Sequence, residues 1–251
     1  MTQSDKDPVK DPVLDISQVR QEIDRVDKAL LQLIAERLEL AAAVRKAKSG
    51  VRLWRPSREE SHVRELSGAI ADTPTRLVST IWAELMSSSI ALQGAMKLHI
   101  SLEGDALDVW TLVRDRFGAA LPVQSYPTTS AALAAAYADE EGVAVLPAPA
   151  VMQNWWTALG PNGAMPDMKI QAGLPRTGSR DWPKAVAVAT AQLQPSGDDD
   201  TLILAPKDTS YKGAIVRAES ADKYLLSVAG YFESSPIAGG TIIGSLPRPL
   251  G

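Results

Sequence analysis

The sequence predicts a two-part protein, an all-helical segment at residues 14–97 followed by an α/β domain at residues 98–251. Two features carry this reading. From Ile16 the apolar residues Val19, Ile23, Val26, Leu30, Leu33, Leu40, Val44 and Ala47 recur at alternating steps of three and four, the seam of one long helix. Past Lys97, short β-prone runs alternate with helical stretches, the texture of an α/β fold.

Residues 1–13, MTQSDKDPVKDPV, are polar and Pro-containing and read as a disordered tail without the apolar core of a secretory signal. Asp15 or Ser17 caps the first helix, which runs to Ser49-Gly50. At about 1.5 Å per residue it spans roughly 50 Å, so it needs a partner along its length. Ser57-Arg58-Glu59-Glu60 reads as a capping box opening a second helix with Val63, Leu66 and Ile70 inward, and Asp72-Thr73-Pro74 separates it from a third. The third runs to about Met96; its stripe of Val78, Ile81, Trp82, Leu85, Leu92 and Met96 is interrupted by Ser89 and Gln93, one turn apart. Beyond it, strands are expected at 98–102, 121–125, 143–146, 185–189, 201–204 and 241–244, and helices near 105–117, 130–138, 150–159 and 221–232. Residues 160–166, 173–183 and 195–200 read as loops.

Composition excludes several function classes. Twenty-six basic against thirty acidic residues give a charge of -4, which disfavours nucleic acid and anionic lipid as partners. With no cysteine and two histidines, His62 and His99, neither thiolate chemistry nor a metal site is expected. No stretch is long and apolar enough to span a bilayer, so a cytoplasmic location is the expectation. Asp198-Asp199-Asp200 lacks the spacing of a calcium loop and reads as a solvated turn before a strand. Trp155-Trp156 reads as core, and His62 and His99 as surface and domain-junction residues.

One position breaks the first helix's seam. The step between Leu33 and Leu40 lands on Arg37, a guanidinium that costs several kcal/mol to bury unpaired. Either a protein carboxylate or a carboxylate ligand must face it. Lys48, eleven residues on, returns to nearly the same face about 16 Å away, so the two long side chains bracket a small anion. Arg20 lies roughly 25 Å from Arg37 along the axis and ~100° around it. It reaches such a ligand only from an antiparallel copy of the helix in a second chain, which would also bury the seam.

Residues 14–97 resemble the all-helical chorismate mutases of the AroQ class. The likeness lies in the run from Val19 to Asp27 (VRQEIDRVD), Leu33-Ile34-Ala35-Glu36-Arg37, Lys46-Ala47-Lys48, Arg58-Glu59, and Ser89 with Gln93. The resemblance implies a three-helix fold in an intertwined homodimer, with Arg20 reaching across from the partner subunit and joining Arg37 on the two carboxylates of chorismate. It further implies that Lys48 and Gln93 donate to the ether oxygen, Glu59 holds the ring hydroxyl, and Ser89 and Arg58 line the pocket. The implied reaction is the rearrangement of chorismate to prephenate in phenylalanine and tyrosine biosynthesis, with Lys48, Gln93 and Arg37 as catalytic residues and no cofactor. The chain departs from the family at Arg55, where many relatives carry an aspartate. Arg52, Arg55 and Arg58 then read either as a basic cluster at the entrance or as solvated loop residues.

Residues 98 to about 205 bear a fainter likeness to the prephenate dehydratase fold, a periplasmic-binding-protein-like α/β unit, through Ile100-Ser101-Leu102-Glu103-Gly104 and Val143-Ala144-Val145-Leu146-Pro147. Its Thr-Arg-Phe signature has only Thr201-Leu202-Ile203 as counterpart, and Ala148-Pro149-Ala150 stands where Glu-Asn-Ser is expected. The region reads as a degenerate relative. Ile243-Gly244-Ser245-Leu246-Pro247-Arg248 resembles the end of an ACT segment, with too few residues before it for that domain. Three functions therefore stand: a monofunctional mutase, a bifunctional mutase and dehydratase, and a non-enzymatic sensor of aromatic amino acids dimerised by its helices.

Overall fold

The computed structural model describes residues 15–47, 52, 54–94, 96–151 and 153–251. The predicted tail, the end of the first helix at Ser49-Gly50, and Lys48 lie outside them. The chain divides into two compact units between Ala47 and Lys48.

The first unit is α1, Ile16–Ala47, a single 32-residue helix. Asp15 supplies its cap, accepting from the Ser17 N–H at 3.3 Å and from the Ser17 hydroxyl. The hydrogen bonds with Ser17 hold its carboxyl below the usual carboxylate range. The seam is exposed along its length: Ile23, Val26, Leu30, Leu33 and Leu40 are 44% to 62% accessible. An apolar stripe of that length left in water is a surface that seeks a partner.

In the second unit, α2 (Pro56–Ala69) and α3 (Thr75–Gln93) precede a nine-stranded sheet. The helices pack on each other through Val63, Leu66, Val78, Trp82 and Met86, with Leu250 from the C-terminus closing the contact. The capping box is corrected. Helix α2 begins two residues earlier, with Pro56 at its first position and no side-chain cap, and Glu60 turns away to pair with arginines. Helix α3 stops at Gln93 rather than near Met96, because Gly94 ends it and Met96 enters the sheet core.

The sheet opens with β1 (Lys97–Ile100), β2 (Val123–Ser125) and β3 (Gly142–Pro147), all parallel and connected through α4 (Ala106–Phe117) and α5 (Thr129–Ala138). Antiparallel strands β4 (Lys169–Leu174) and β5 (Ala185–Ala189) follow, with β5 beside β3. The far half is antiparallel: β6 (Asp199–Pro206), β7 (Ile215–Glu219), β8 (Lys223–Ala229) and β9 (Thr241–Pro247), giving the order β2-β1-β3-β5-β4-β9-β6-β8-β7. Alternate residues of β3 face opposite cores. Ala144 and Leu146 join Leu133, Trp155 and Trp156, while Val143 and Val145 join Val113, Phe117, Trp54 and Ile90. Trp54 and Ile90 thus anchor the segment before α2 and the end of α3 into the sheet's own core.

Several expectations are revised. Residues 221–232 form strand β8 and not a helix: Leu225, Leu226, Ser227 and Val228 are all buried, so both faces are covered and no period of two is visible. Strands β4 and β7 form where the sequence carries a loop signal or no strand signal, and Gly173 belongs to β4. Of the helix expected at 150–159 only a 3-10 turn, Trp155–Leu159, forms, although both tryptophans are core as expected. Asp199 is buried, not solvated, and accepts from the Ser196 N–H and hydroxyl, each at 2.7 Å. His99 is likewise a buried strand residue, between Tyr126 Oη at 2.9 Å and Asp139 at 3.2 Å.

The two halves of the sheet meet where β4 pairs β9 in parallel at Ile170 and Gly244. A Cβ on Gly244 would lie 2.6 Å from Ile170 Cβ and 2.7 Å from its carbonyl oxygen. Gly244→Ala is therefore expected to destabilise the second unit by about 1–3 kcal/mol, read as a lowered urea midpoint, while an unchanged midpoint would show that the junction yields freely.

Candidate functional site

Glu59 and Glu60 sit in the first turns of α2, side by side, where the helix's unpaired N–H groups favour negative charge. Both are drawn to two arginines of the α/β domain. Arg116, in the last turn of α4, donates from Nη1 to Glu59 Oε2 at 2.9 Å and places Nη2 2.9 Å from Glu60 Oε1. Arg176, just beyond β4, donates from Nε to Glu60 Oε1 at 2.9 Å and sets Nη2 3.5 Å from Glu59 Oε2. All four charges are withdrawn from water: the arginine side chains are 0% and 1% exposed, Glu60 4% and Glu59 12%. Arg116 also lies over the rings of Phe117 and Trp54, at 5.4 and 6.0 Å.

Local sequence explains how Arg116 arrives there. Asp105 caps α4 by accepting from the N–H groups of Leu107 and Asp108, at 2.9 and 3.4 Å. The helix ends on Gly118 in a left-handed conformation (φ 65°). A side chain at that position would press on Ser87 Oγ and fall 2.9 Å from the Ala83 carbonyl oxygen, so only glycine lets the end of α4 close on α3. Glu84 reinforces the contact, accepting from the Ala119 N–H at 3.0 Å and from Arg114 at 3.4 Å.

The charges are mutually dependent. Burial pushes the Glu60 carboxyl up, but Arg176 and then Arg116 outweigh it and hold it below the usual carboxylate range. Burial lowers Arg116, but Glu60 and Glu59 more than compensate and raise it. Removing one member leaves an unpaired buried charge, at a cost on the order of 3–5 kcal/mol.

The remaining predicted site residues are distributed as follows. Arg20 is exposed and Arg37 half-buried on α1; Lys48 lies outside the described residues. On α2, Arg58 is exposed and Glu59 turns into the arginine cluster. On α3, Ser89 is buried and donates to the Leu85 carbonyl at 2.7 Å, and Gln93 is half-buried. Arg55 donates to Gln194 at 3.3 Å across to the loop before β6, which takes it out of a purely solvated cluster. Two clefts open in the second unit. One of about 430 Å³ is lined by Glu60, Arg176, Trp182 and Arg248; another of about 860 Å³ lies at the ends of β1 and β3 beside the start of α5. Arg58, Ser89 and Gln93 line neither of them. Among the described residues no group of three or more His, Asp or Glu could hold a metal ion, and no helix is long and apolar enough to cross a membrane.

Neither Arg116 nor Arg176 stands out as a site residue in the sequence. Arg116 reads there as a basic residue complementing a helix C-terminus, and Arg176 as part of a Gly- and Pro-rich loop; their hydrogen bonds close over 57 and 116 residues.

Comparison with known proteins decides the identity of the helical segment. The model of the family "Chorismate mutase type II" matches residues 19–94. Residues 19–94 are a chorismate mutase type II domain. The T-protein of Enterobacter agglomerans is 37% identical over 81 residues, 31% of this chain and 22% of that protein, so the chain matches about a fifth of that relative's length. Among solved structures, one described as GqqA, a novel type of quorum quenching acylase, aligns over 61% of this chain and 95% of its own at 13% identity and a TM-score of 0.38, too loose a superposition to argue from. The chorismate mutase domain thus contains α1, α2 and α3, and the last two are bound into the neighbouring sheet by buried charge and by Trp54 and Ile90.

The pH dependence of stability follows from Glu60. Its folded value is depressed below the ordinary 4.5, so its contribution is present above that pH and is lost as pH falls through the folded value. Urea unfolding between pH 3 and 6 is expected to show a steeper loss of stability on acidification for the wild type than for Glu60→Gln; equal slopes would contradict the pairing.

Proposed function

We propose that the protein is a chorismate mutase acting as a homodimer, in which the α1 helices of two chains lie antiparallel and each pocket takes Arg20 from the partner subunit. The observation that carries the reading is the family match at residues 19–94, a segment containing Arg20, Arg37, Lys48, Arg58, Glu59, Ser89 and Gln93. The exposed apolar seam of α1 supports the dimer, since a second copy would bury it.

The reaction breaks one C–O bond and forms one C–C bond within a single molecule, so neither a nucleophile nor a cofactor is needed. Arg37 and the partner's Arg20 bind the two carboxylates and hold the compact reactive conformer. Lys48 and Gln93 donate to the ether oxygen as negative charge grows on it, Glu59 accepts from the ring hydroxyl, and Ser89 and Arg58 line the pocket. This places the enzyme in phenylalanine and tyrosine biosynthesis, in the cytoplasm. We read residues 98–251 as a degenerate relative of the periplasmic-binding-protein-like dehydratase fold, serving structure. A second, dehydrating activity finds no support. Thr201, the counterpart of the signature threonine, is fully buried in β6, its hydroxyl donating to the Gly230 carbonyl at 2.7 Å and accepting from the Phe232 N–H at 3.1 Å.

Purified protein given chorismate is expected to convert it to prephenate without accumulating phenylpyruvate; no consumption would end the assignment. Loss of one donor to the ether oxygen removes ~3 kcal/mol of transition-state stabilisation, so Lys48→Ala is expected to lose a hundredfold or more in kcat. Mixing inactive Arg20→Ala with inactive Lys48→Ala protein is expected to restore part of the activity, because one pocket of the mixed dimer is intact. Absence of recovery after demonstrated subunit exchange would refute the crossing of Arg20.

A further inference from the structure

We propose that Arg116 of the α/β domain is a positioning residue for the mutase pocket, holding the Glu59 carboxylate by one oxygen so that the other faces the substrate's hydroxyl. This rests on the chorismate mutase reading and extends it: the appended domain sets a group of the active site.

The two adjacent glutamates divide the work. Glu60 meets both arginines at 2.9 Å through Oε1 and is almost sealed from water, which suffices to bind α2 to α4 and to the segment after β4. Glu59 differs in two respects. Its contacts to Arg116 and Arg176, at 2.9 and 3.5 Å, both run to Oε2, and Oε1 has no partner among the described residues. Its side chain also keeps more contact with solvent than that of Glu60. A carboxylate fixed through one oxygen gives the other a fixed direction, with rotamer freedom removed before a ligand arrives.

Arg116 is itself held. Its guanidinium is fully buried, lies over Phe117 and Trp54, and is braced by Glu60, while Gly118 fixes the end of α4 against α3. The chain of contacts from the sheet domain to Glu59 Oε2 therefore runs through Arg116, with Arg176 at longer range.

The test uses the full chain and follows chorismate consumption by wild type, Arg116→Met, Glu59→Gln, the double variant and Leu250→Ala. The Leu250 side chain packs between α2 and α3, while its backbone N–H, which truncation leaves in place, donates to the Arg176 carbonyl at 2.9 Å; its truncation supplies a destabilised control. Arg116→Met is expected to lower kcat/KM by on the order of tenfold or more, the double variant to fall no further than Glu59→Gln alone, and Leu250→Ala to keep kcat/KM near wild type despite a lower Tm. Should Arg116→Met fail to fold, Glu60→Gln/Arg116→Met, which leaves the cluster neutral, replaces it. Wild-type kcat/KM in the folded Arg116 variant, or a further drop when it is combined with Glu59→Gln, would overturn the proposal while leaving the mutase reading intact. Wild-type kcat/KM in Glu59→Gln would overturn it by removing Glu59 from the pocket. No turnover by the unmodified chain would overturn both readings together.

Discussion

Two carboxylates and two guanidiniums, shut away from water, join the helical part of this protein to its sheet. Glu59 and Glu60 come from the first turns of a helix, Arg116 from the last turn of another, and Arg176 from the segment after an interior strand. No single member survives burial alone, since each would carry an uncompensated charge into a low-dielectric region. The cluster thus specifies one arrangement of α2, α4 and β4. The apolar contacts around it, Trp54 on Phe117 and Leu250 on Val63 and Val78, follow the same arrangement. Cations set against anions recur at the level of chemistry as well. The proposed reaction uses fixed arginines and a lysine around a dianion, where no water must reorganise as charge moves.

The two units differ in what they bury. Ile90 of α3 and Trp54 before α2 share a core with strands β1, β3, β4 and β5, whereas α1 carries a heptad stripe in contact with water. A helix of 32 residues keeps Val19, Ile23, Val26 and Leu30 exposed on one face and interrupts that stripe with Arg37.

How much of this was legible depended on the range of the contacts. The three helices were readable because their signals are local: a seam at steps of three and four, and the Asp72-Thr73-Pro74 break that starts the third. So was the family, since Arg20, Arg37, Glu59, Ser89 and Gln93 keep the spacing of one helical module. Strands β1, β3, β5, β6 and β9 appeared as apolar runs bounded by turn residues. Strand β8 did not, because Leu225, Leu226, Ser227 and Val228 are buried on both faces and imitate a helical patch. Glu60 misled for a related reason. It fits a capping box three residues after Ser57, yet two arginines distant in sequence attract it more strongly than a helix N–H would. His99 reads as a domain-junction residue because its partners, Tyr126 and Asp139, become neighbours only once the strands have assembled, whereas Asp199 is buried against Ser196, three residues before it, in a stretch whose acidic run imitates a solvated turn.

Glu59 offers the sharpest test, since its Oε2 is held by Arg116 and Arg176. The most direct measurement is a crystal structure of the intact protein bound to a dicarboxylate mimic of the rearrangement's transition state. The account predicts the ligand between Arg37 and Lys48 of one chain and Arg20 of the other, with Glu59 Oε1 on its hydroxyl and Oε2 still on Arg116. A ligand lodged elsewhere, or a Glu59 with both oxygens turned into the arginine cluster, would contradict it.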